Sequence, residues 1–367
     1  MRFSFVGNFS LDETKENNIR KANTKTGMPY ISLRPSVVAA KNNRGFCEIF
    51  GCKQDTIKTT DKDGNSIEVD WKNRTDKEVI DTVAGYRKNI IVLNGERHEF
   101  ISAYDFCDFI LENLEELKDK RVLVTGNTSK DFYNGKSRDR FTISSIYEIK
   151  EDDDRKNSLG MTGVIYWDKD CVDLDSWKSD KKIYINAYTS EYISKDEGRK
   201  YVKGQFVLDC SKVDFENEKH IAQLQLRLEQ LGLSYEQGKI KINLKAKGIA
   251  HNEFQFTLQN GAEEIEFTID QCTDLQKKWI EAGIKTLEDF RPRGGTYGER
   301  ITEYKFKTPT FMGNYSDGML YLDMKPSEFE DEVYVVLEDE DINDLPFDGM
   351  NEPEELDDED EIEDLFG

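Results

Sequence analysis

Apolar and polar positions alternate along most of this chain in short runs broken by turn residues. The opening run Phe3-Ser4-Phe5-Val6-Gly7 predicts an early strand, and Tyr30 to Arg34, Val37 to Ala40 and Gly45 to Gly51 predict three more. Residues 11 to 30 are polar, carry Lys15, Arg20, Lys21 and Lys25, and end in Gly27-Met28-Pro29, so they read as a long, mobile, basic loop. From Thr56 to Trp71 two alternating arms flank Asp63-Gly64-Asn65, and these three residues are expected to supply the positive φ angles of a hairpin turn.

Helical spacing is rarer. Thr75, with Glu78 three residues on, predicts a capped short helix through Val83 or Ala84. Ser102 caps a predicted helix to Leu117, with Phe106, Phe109, Ile110, Leu111, Leu114 and Leu117 on its apolar side and acids opposite. Strands follow at Arg121 to Asn127 and Arg140 to Ile149, before the charged run Glu151 to Ser158 breaks every periodicity and marks a domain boundary. Beyond it, strands are predicted at Gly163 to Trp167, Lys181 to Tyr188, Tyr201 to Asp209, Lys239 to Lys245, Glu253 to Leu258, Ile265 to Ile269, Glu303 to Phe306 and Glu332 to Leu337. One helix is predicted from His220 to Leu231 with Gly232 as its stop, and another from Asp274 to Phe290 interrupted at Gly283, ahead of a basic loop from Arg291 to Arg300. Lys181 to Asp209 echoes Lys120 to Ile149, which favours two related β modules. Many short strands with few helices define a mainly β chain of the barrel or sandwich class, and exclude βαβ units.

Composition changes this picture at the C-terminus. The chain has 367 residues and a net charge of −23, yet the segment from Glu338 to Gly367 alone holds 16 acids and no base. The remainder carries 58 acids against 51 bases, a charge of −7, and residues 1 to 150 are slightly basic at 25 Lys and Arg against 23 Asp and Glu. Acidity therefore belongs to a disordered tail and leaves a polyanion-binding body open. The expected organisation is a first module over 1–150, a second over 159–337 and the tail over 338–367. Neither an apolar run of about 20 residues nor a basic, then apolar, leader is present, so a soluble chain is expected, with no membrane partner.

Catalytic motifs are missing: GxxxxGK[ST], HExxH and GxSxG do not occur. Six cysteines without a CxxC pair and three scattered histidines do not form a zinc pattern, and Cys107, Cys171 and Cys210 read as buried thiols. Acidic pairs such as Asp61/Asp63 and Asp168/Asp170 flank turns and read as solvated turn carboxylates. No catalytic residue, metal or cofactor is expected, and the chain is read as not an enzyme.

Aromatic and basic residues, by contrast, keep company in three places. They are Trp71, Lys72 and Arg74; Tyr133, Lys136, Arg138 and Arg140; and Tyr192, Arg199, Lys200 and Tyr201. Single-strand binding needs a π-surface for unstacked bases and a cation track for phosphates. The same rings could equally fill cores, Phe141 and Phe206 most of all. Tyr133 and Tyr192 lie beside predicted loops and are the better stacking candidates, with Arg20, Lys21 and Lys25 as a clamp.

The tail adds apolar punctuation at Leu345-Pro346-Phe347 and again at Asp364-Leu365-Phe366. With its strand-rich modules, the Arg121 to Phe141 segment and this acidic end, the chain resembles phage-encoded single-stranded DNA-binding proteins of the oligonucleotide-binding-fold type. That resemblance implies oligonucleotide-binding-fold barrels, DNA coating during phage replication and recombination, and the cytoplasm of an infected bacterial host. It also implies a tip at Asp364, Leu365 and Phe366 that docks replication or recombination proteins, although the terminal Pro-Phe of bacterial relatives is here Leu-Phe-Gly. Self-association on DNA is a further expectation. Two rivals remain: a virion or interaction protein that mimics DNA, and a nuclease with a carboxylate metal site.

Overall fold

The computed structural model describes residues 1–15, 17–133, 136–194, 198–245, 248–265, 267–292, 296–309 and 320–322. The predicted strand 332–337 and the tail 338–367 fall outside them. The chain is mainly β, as the alternation requires, with a few short helices.

The N-terminal part contains β1 (Arg2–Ser10), β2 (Ile19–Asn23), β3 (Pro29–Leu33), β4 (Ser36–Ala40), β5 (Asn43–Phe46), β6 (Ile49–Cys52), β7 (Thr56–Thr60), β8 (Ser66–Asp70), α1 (Lys77–Thr82), β9 (Asn89–Leu93), β10 (Glu96–Phe100), α2 (Ala103–Glu112), α3 (Leu114–Leu117), β11 (Arg121–Tyr133) and β12 (Lys136–Glu148). Five of its segments close on themselves. β1 pairs with β4, and β4 with β5, both antiparallel. The chain after β5 bridges β12 in parallel, with the Glu48 N–H donating to Phe141 O at 2.9 Å and the Ile143 N–H to Glu48 O at 3.0 Å. β12 then pairs with β11, and β11 returns to β1.

Numbered within this barrel, the strand order is 1-2-3-5-4-1, with a parallel contact between strands three and five and the helices α2 and α3 between three and four. This is the Greek-key barrel of the oligonucleotide-binding fold. Phe3, Phe5, Phe9, Val124, Phe141, Ile143 and Ile146 fill it, and Phe106, Ile110 and Leu117 of α2 and α3 extend the same core.

The C-terminal part repeats the order. It contains β13 (Ser158–Trp167), β14 (Val172–Asp173), α4 (Trp177–Asp180), β15 (Lys182–Ser194), β16 (Gly198–Asp209), α5 (Glu218–Glu229), β17 (Leu233–Glu236), β18 (Lys239–Ile242), β19 (Ile249–Ile265), α6 (Asp274–Glu281), α7 (Leu287–Phe290), β20 (Thr296–Pro309) and β21 (Leu320–Leu322). β13 pairs with β15, β15 with β16, β16 in parallel with β20, β20 with β19, and β19 with β13. The burial of β13 alternates without a fault, so Leu159, Met161, Ile165 and Trp167 point inward and Ser158, Thr162, Val164 and Tyr166 outward. The Trp167 Nε1–H donates to Leu231 O at 3.2 Å, tying α5 and the β17–β18 hairpin to the barrel floor.

The two barrels are spliced through their first strands. Arg2 to Val6 of β1 pair antiparallel with Ser158 to Thr162 of β13, while Asn8 to Ser10 pair with strand two of the first barrel and Tyr166 with strand two of the second. Each first strand thus gives one half of an edge to its own barrel and the other half to its neighbour. Arg2 to Glu253 at 3.0 Å, Asn43 Oδ1 accepting from the Asn260 N–H at 2.9 Å, and the Tyr304 hydroxyl on Asp139 close the seam. Gly261 lies here at φ 144°, where a Cβ would overlap Asn42 O.

Several expectations change. The 11–30 loop contains the β2–β3 hairpin, because Gly27 at φ 84° lets Ile19 to Asn23 fold back on Pro29 to Leu33. The turn between β7 and β8 takes positive φ only at Gly64 and not at Asp63 or Asn65, whose N–H groups instead donate to the Asp61 carboxylate. Asp76, not Thr75, caps α1. Ser102 does cap α2, but that helix ends at Glu112, since Asn113 leaves helical φ/ψ and restarts the chain as α3. The β9–β10 hairpin has no counterpart in the predicted elements. The echoed hairpins are also not equivalent: β11–β12 are strands four and five of one barrel, β15–β16 strands two and three of the other.

Candidate nucleic-acid interface

In a barrel of this order the ligand face is the outer surface of strands two and three, flanked by the connections from strand one to two and from four to five. In the first barrel the one-to-two connection holds the β2–β3 hairpin, pinned to α2 by Lys21 Nζ on Asp108 Oδ1 at 3.0 Å. Arg20 lies 6.0 Å from the Tyr30 ring centre, and Tyr30 packs on Phe50 at 5.4 Å. The four-to-five hairpin contributes Arg138, on Asp131 at 2.9 Å, and Arg140, whose Nε–H donates to Glu48 Oε1 at 2.5 Å. Burial holds the Arg34 guanidinium below its ordinary pKa, and the positive charges of Arg138, Arg140 and Arg20 push the same way while Glu48 opposes them. Four guanidiniums therefore share one neighbourhood with the carboxylates of Glu48 and Asp131, an arrangement a bound polyanion would favour. The backbones of Tyr133 and Lys136 form the last pair of this hairpin, and their side chains lie outside the described residues.

In the second barrel the parity of the strands builds an aromatic face. Tyr166 of strand one is registered with Tyr188 of strand two on one side and His251 of strand four on the other; Tyr188 in turn faces Lys203 of strand three. All four point outward, since their neighbours Ile165, Trp167, Ala187, Thr189, Val202 and Ala250 are buried. The Tyr201 ring meets Tyr166 edge-on at 5.1 Å and His251 stacks on Tyr166 at 5.7 Å. Further out, Ser190 faces Tyr201, Glu191 faces Lys200 and Tyr192 faces Arg199, with Tyr192 exposed and Glu191 turned inward. Burial raises the Tyr166 hydroxyl pKa, with Tyr201 adding and Arg199 opposing, and burial lowers that of His251.

The third predicted group packs against α2, the helix that also holds the β2–β3 hairpin through Asp108. Arg74 stacks over Trp71 at 4.1 Å, donates to Trp71 O, and grips Asp105 of α2 with Nε at 2.8 Å and Nη2 at 3.1 Å. Trp71 covers the small satellite core of Ile57, Val69, Val83 and Ile101. Lys72 is exposed, 3.5 Å from Asp70.

Sequence reasoning passed over Tyr166, Tyr188 and His251 as site residues, although each occupies an outward position of an alternating strand. It also passed over Arg34 and Glu48, which only the long-range parallel contact brings to Arg138 and Arg140. Asp364, Leu365 and Phe366 lie outside the described residues.

Among the described residues no group of three His, Cys, Asp or Glu side chains is placed to hold a metal ion. All six cysteines are buried and reduced; burial pushes the Cys171 and Cys210 thiols up to about 12 and those of Cys47 and Cys107 higher still, which makes them poor nucleophiles.

The chain is thus a tandem oligonucleotide-binding-fold protein by its strand order. No known protein family matches its sequence, and no curated protein does. Among solved structures it is similar to a deletion mutant of the single-stranded DNA binding protein from Thermus aquaticus, at 10% identity and a TM-score of 0.29, over 70% of this chain and 86% of that one. So low a likeness leaves the interface to be read from this chain's own side chains.

Proposed function

We propose that this protein binds single-stranded DNA without sequence preference and without catalysis, laying the strand across the outer faces of both barrels. The observation that carries the proposal is the row His251, Tyr166, Tyr188 and Lys203, with Tyr201 and Arg199 beside it, on the face where this fold takes oligonucleotides. Rings supply sequence-tolerant stacking, and the cations of both barrels track phosphates. In the first barrel that role falls to Arg20, Arg34, Arg138 and Arg140, with Tyr133 and Lys136 at the hairpin tip. We carry 1–150 and 159–337 as the two binding modules, coating of DNA in phage replication and recombination inside the bacterial host as the biological setting, and partner docking by Asp364, Leu365 and Phe366 as the role of the tail.

The test is a titration of residues 1–337 against labelled oligo-dT and matched duplex at several salt concentrations. Tighter binding to oligo-dT is expected, with log K falling against log salt at a slope of about −4 if six cations meet phosphates. Equal or undetectable affinity for both at low salt would refute it and favour the DNA-mimic reading.

A further inference from the structure

Strands two and three of the second barrel carry their outward side chains in cross-strand rows: Tyr192 with Arg199, Ser190 with Tyr201, Tyr188 with Lys203, and then Asn186 with Gln205, with Tyr184 one position further along. The ring and cation rows have a part in strand binding, and the amide row has none so far. Asn186 is half-buried and Gln205 exposed, while Ile185, Ala187 and Phe206 beside them are buried, so both amides stand on the outer face. The Gln205 Nε2–H donates to Asn186 Oδ1 at 3.1 Å, and among the described residues neither amide has another partner.

An amide side chain offers one acceptor oxygen and two donor hydrogens. Joined by a single bond, the two amides keep a free donor at Asn186 Nδ2 and a free acceptor at Gln205 Oε1. Turning both amides over reverses that bond, with Asn186 Nδ2 now donating to Gln205 Oε1, and exchanges the free groups: the acceptor then stands on Asn186 and the donor on Gln205. The Watson–Crick edge of every base also sets a donor beside an acceptor, in one of two orders. Adenine and cytosine place an exocyclic amine beside a bare ring nitrogen; guanine and thymine place a carbonyl beside a ring N–H. A pair that can turn over meets both orders from one position. Outward rows on a strand lie about 7 Å apart, near enough for a base stacked on Tyr188 to turn its edge to the amides. In duplex DNA those edges are already bonded to the opposite strand.

We infer that Asn186 and Gln205 form a two-way amide pair that takes the Watson–Crick edge of an unpaired base of any kind, and so selects single strands over duplex without selecting sequence. This role presupposes the proposed strand binding and adds to it the groups that sense whether a base is paired. Neither amide is charged, so the row contributes selectivity and leaves phosphate tracking to the cations.

Fluorescence anisotropy of the full chain compares labelled oligo-dT with the same strand built from N3-methylthymidine, which keeps ring and phosphate but blocks the edge. The parent should bind the methylated strand about two- to tenfold more weakly, the worth of one neutral hydrogen bond. In Asn186→Leu and Gln205→Met, which keep size and charge, that preference should vanish while the salt slope stays as it was. The double variant should lose no more than either single one, since one amide cannot turn over without the other. Oligo-dA and oligo-dC should show losses like those of oligo-dT. Equal binding of both strands by the parent, or a preference that survives in the variants, overturns the amide pair and leaves strand binding standing. A loss confined to oligo-dT overturns its two-way character. Failure of the parent to bind oligo-dT at all overturns strand binding and the amide pair with it.

Discussion

Replacing Tyr201 by alanine tests the second barrel's face most directly. Its ring lies outward on strand three, half-buried, and touches Tyr166 edge-on at 5.1 Å. Loss of that ring pair costs about 0.5–1.5 kcal/mol of folding stability, too little to unfold a two-barrel protein at 25 °C. Loss of one stacked base costs about 1–3 kcal/mol of binding, or roughly 5- to 150-fold in affinity. Fluorescence anisotropy with labelled oligo-dT at one fixed salt concentration should therefore show Tyr201→Ala weakened within that range and Tyr201→Phe close to the parent. The two kinds of contact also separate by salt. Tyr201→Ala removes no charge and should leave the salt slope as it was, whereas Arg199→Ala should reduce it by about 0.7. Affinity of Tyr201→Ala within twofold of the parent, or an equal loss in Tyr201→Phe, would refute stacking at this position.

Two further substitutions probe the residues around the interface. Arg74→Ala removes a two-pronged, largely buried grip on Asp105 and a cation–π contact with Trp71, so urea unfolding should show a loss of about 1–3 kcal/mol with oligo-dT affinity unchanged; weaker binding at unaltered stability would put Arg74 in the interface. Burial holds the His251 imidazole below the ordinary histidine value of 6.5, so the unfolded chain takes up its proton first as pH falls. The contribution of neutral His251 is complete above that ordinary value and declines as pH drops through it toward the lower value of the folded state. Thermal midpoints between about pH 5 and 8 should show this slope in the parent and a shallower one in His251→Gln, and identical slopes would count against it.

The parts of the fold legible in sequence are those set by local alternation and by caps. Ser102, Gly232 and Gly283 act where their side chains or positive φ demand, and β13 follows its alternation residue by residue. The β9–β10 hairpin was also written locally, since Asn94 and Gly95 take the two positive φ angles that a tight hairpin turn prefers. What no local pattern carries is strand order. The parallel contact of Glu48 with β12 joins residues 94 positions apart by number, Glu48 and Thr142, and the splice of β1 to β13 spans more than 150. Nothing in the alternation of either segment distinguishes those partners from others of equal apolar content.

That gap explains the misaligned echo. A long hairpin with rings and cations on alternate positions looks the same whether it forms strands two and three or strands four and five, because only its own two strands enter the pattern. Topology decides what such a hairpin can reach. As strands four and five, β11–β12 sets Arg138 and Arg140 against Glu48 and Arg34, near the one-to-two connection. As strands two and three, β15–β16 spreads Tyr188, Tyr201 and Lys203 across the outer face of the second barrel. One sequence motif thus yields a cation-bearing edge in one barrel and an aromatic surface in the other. Under the proposed function, substitutions in the first hairpin should act chiefly through salt dependence and substitutions in the second chiefly through stacking.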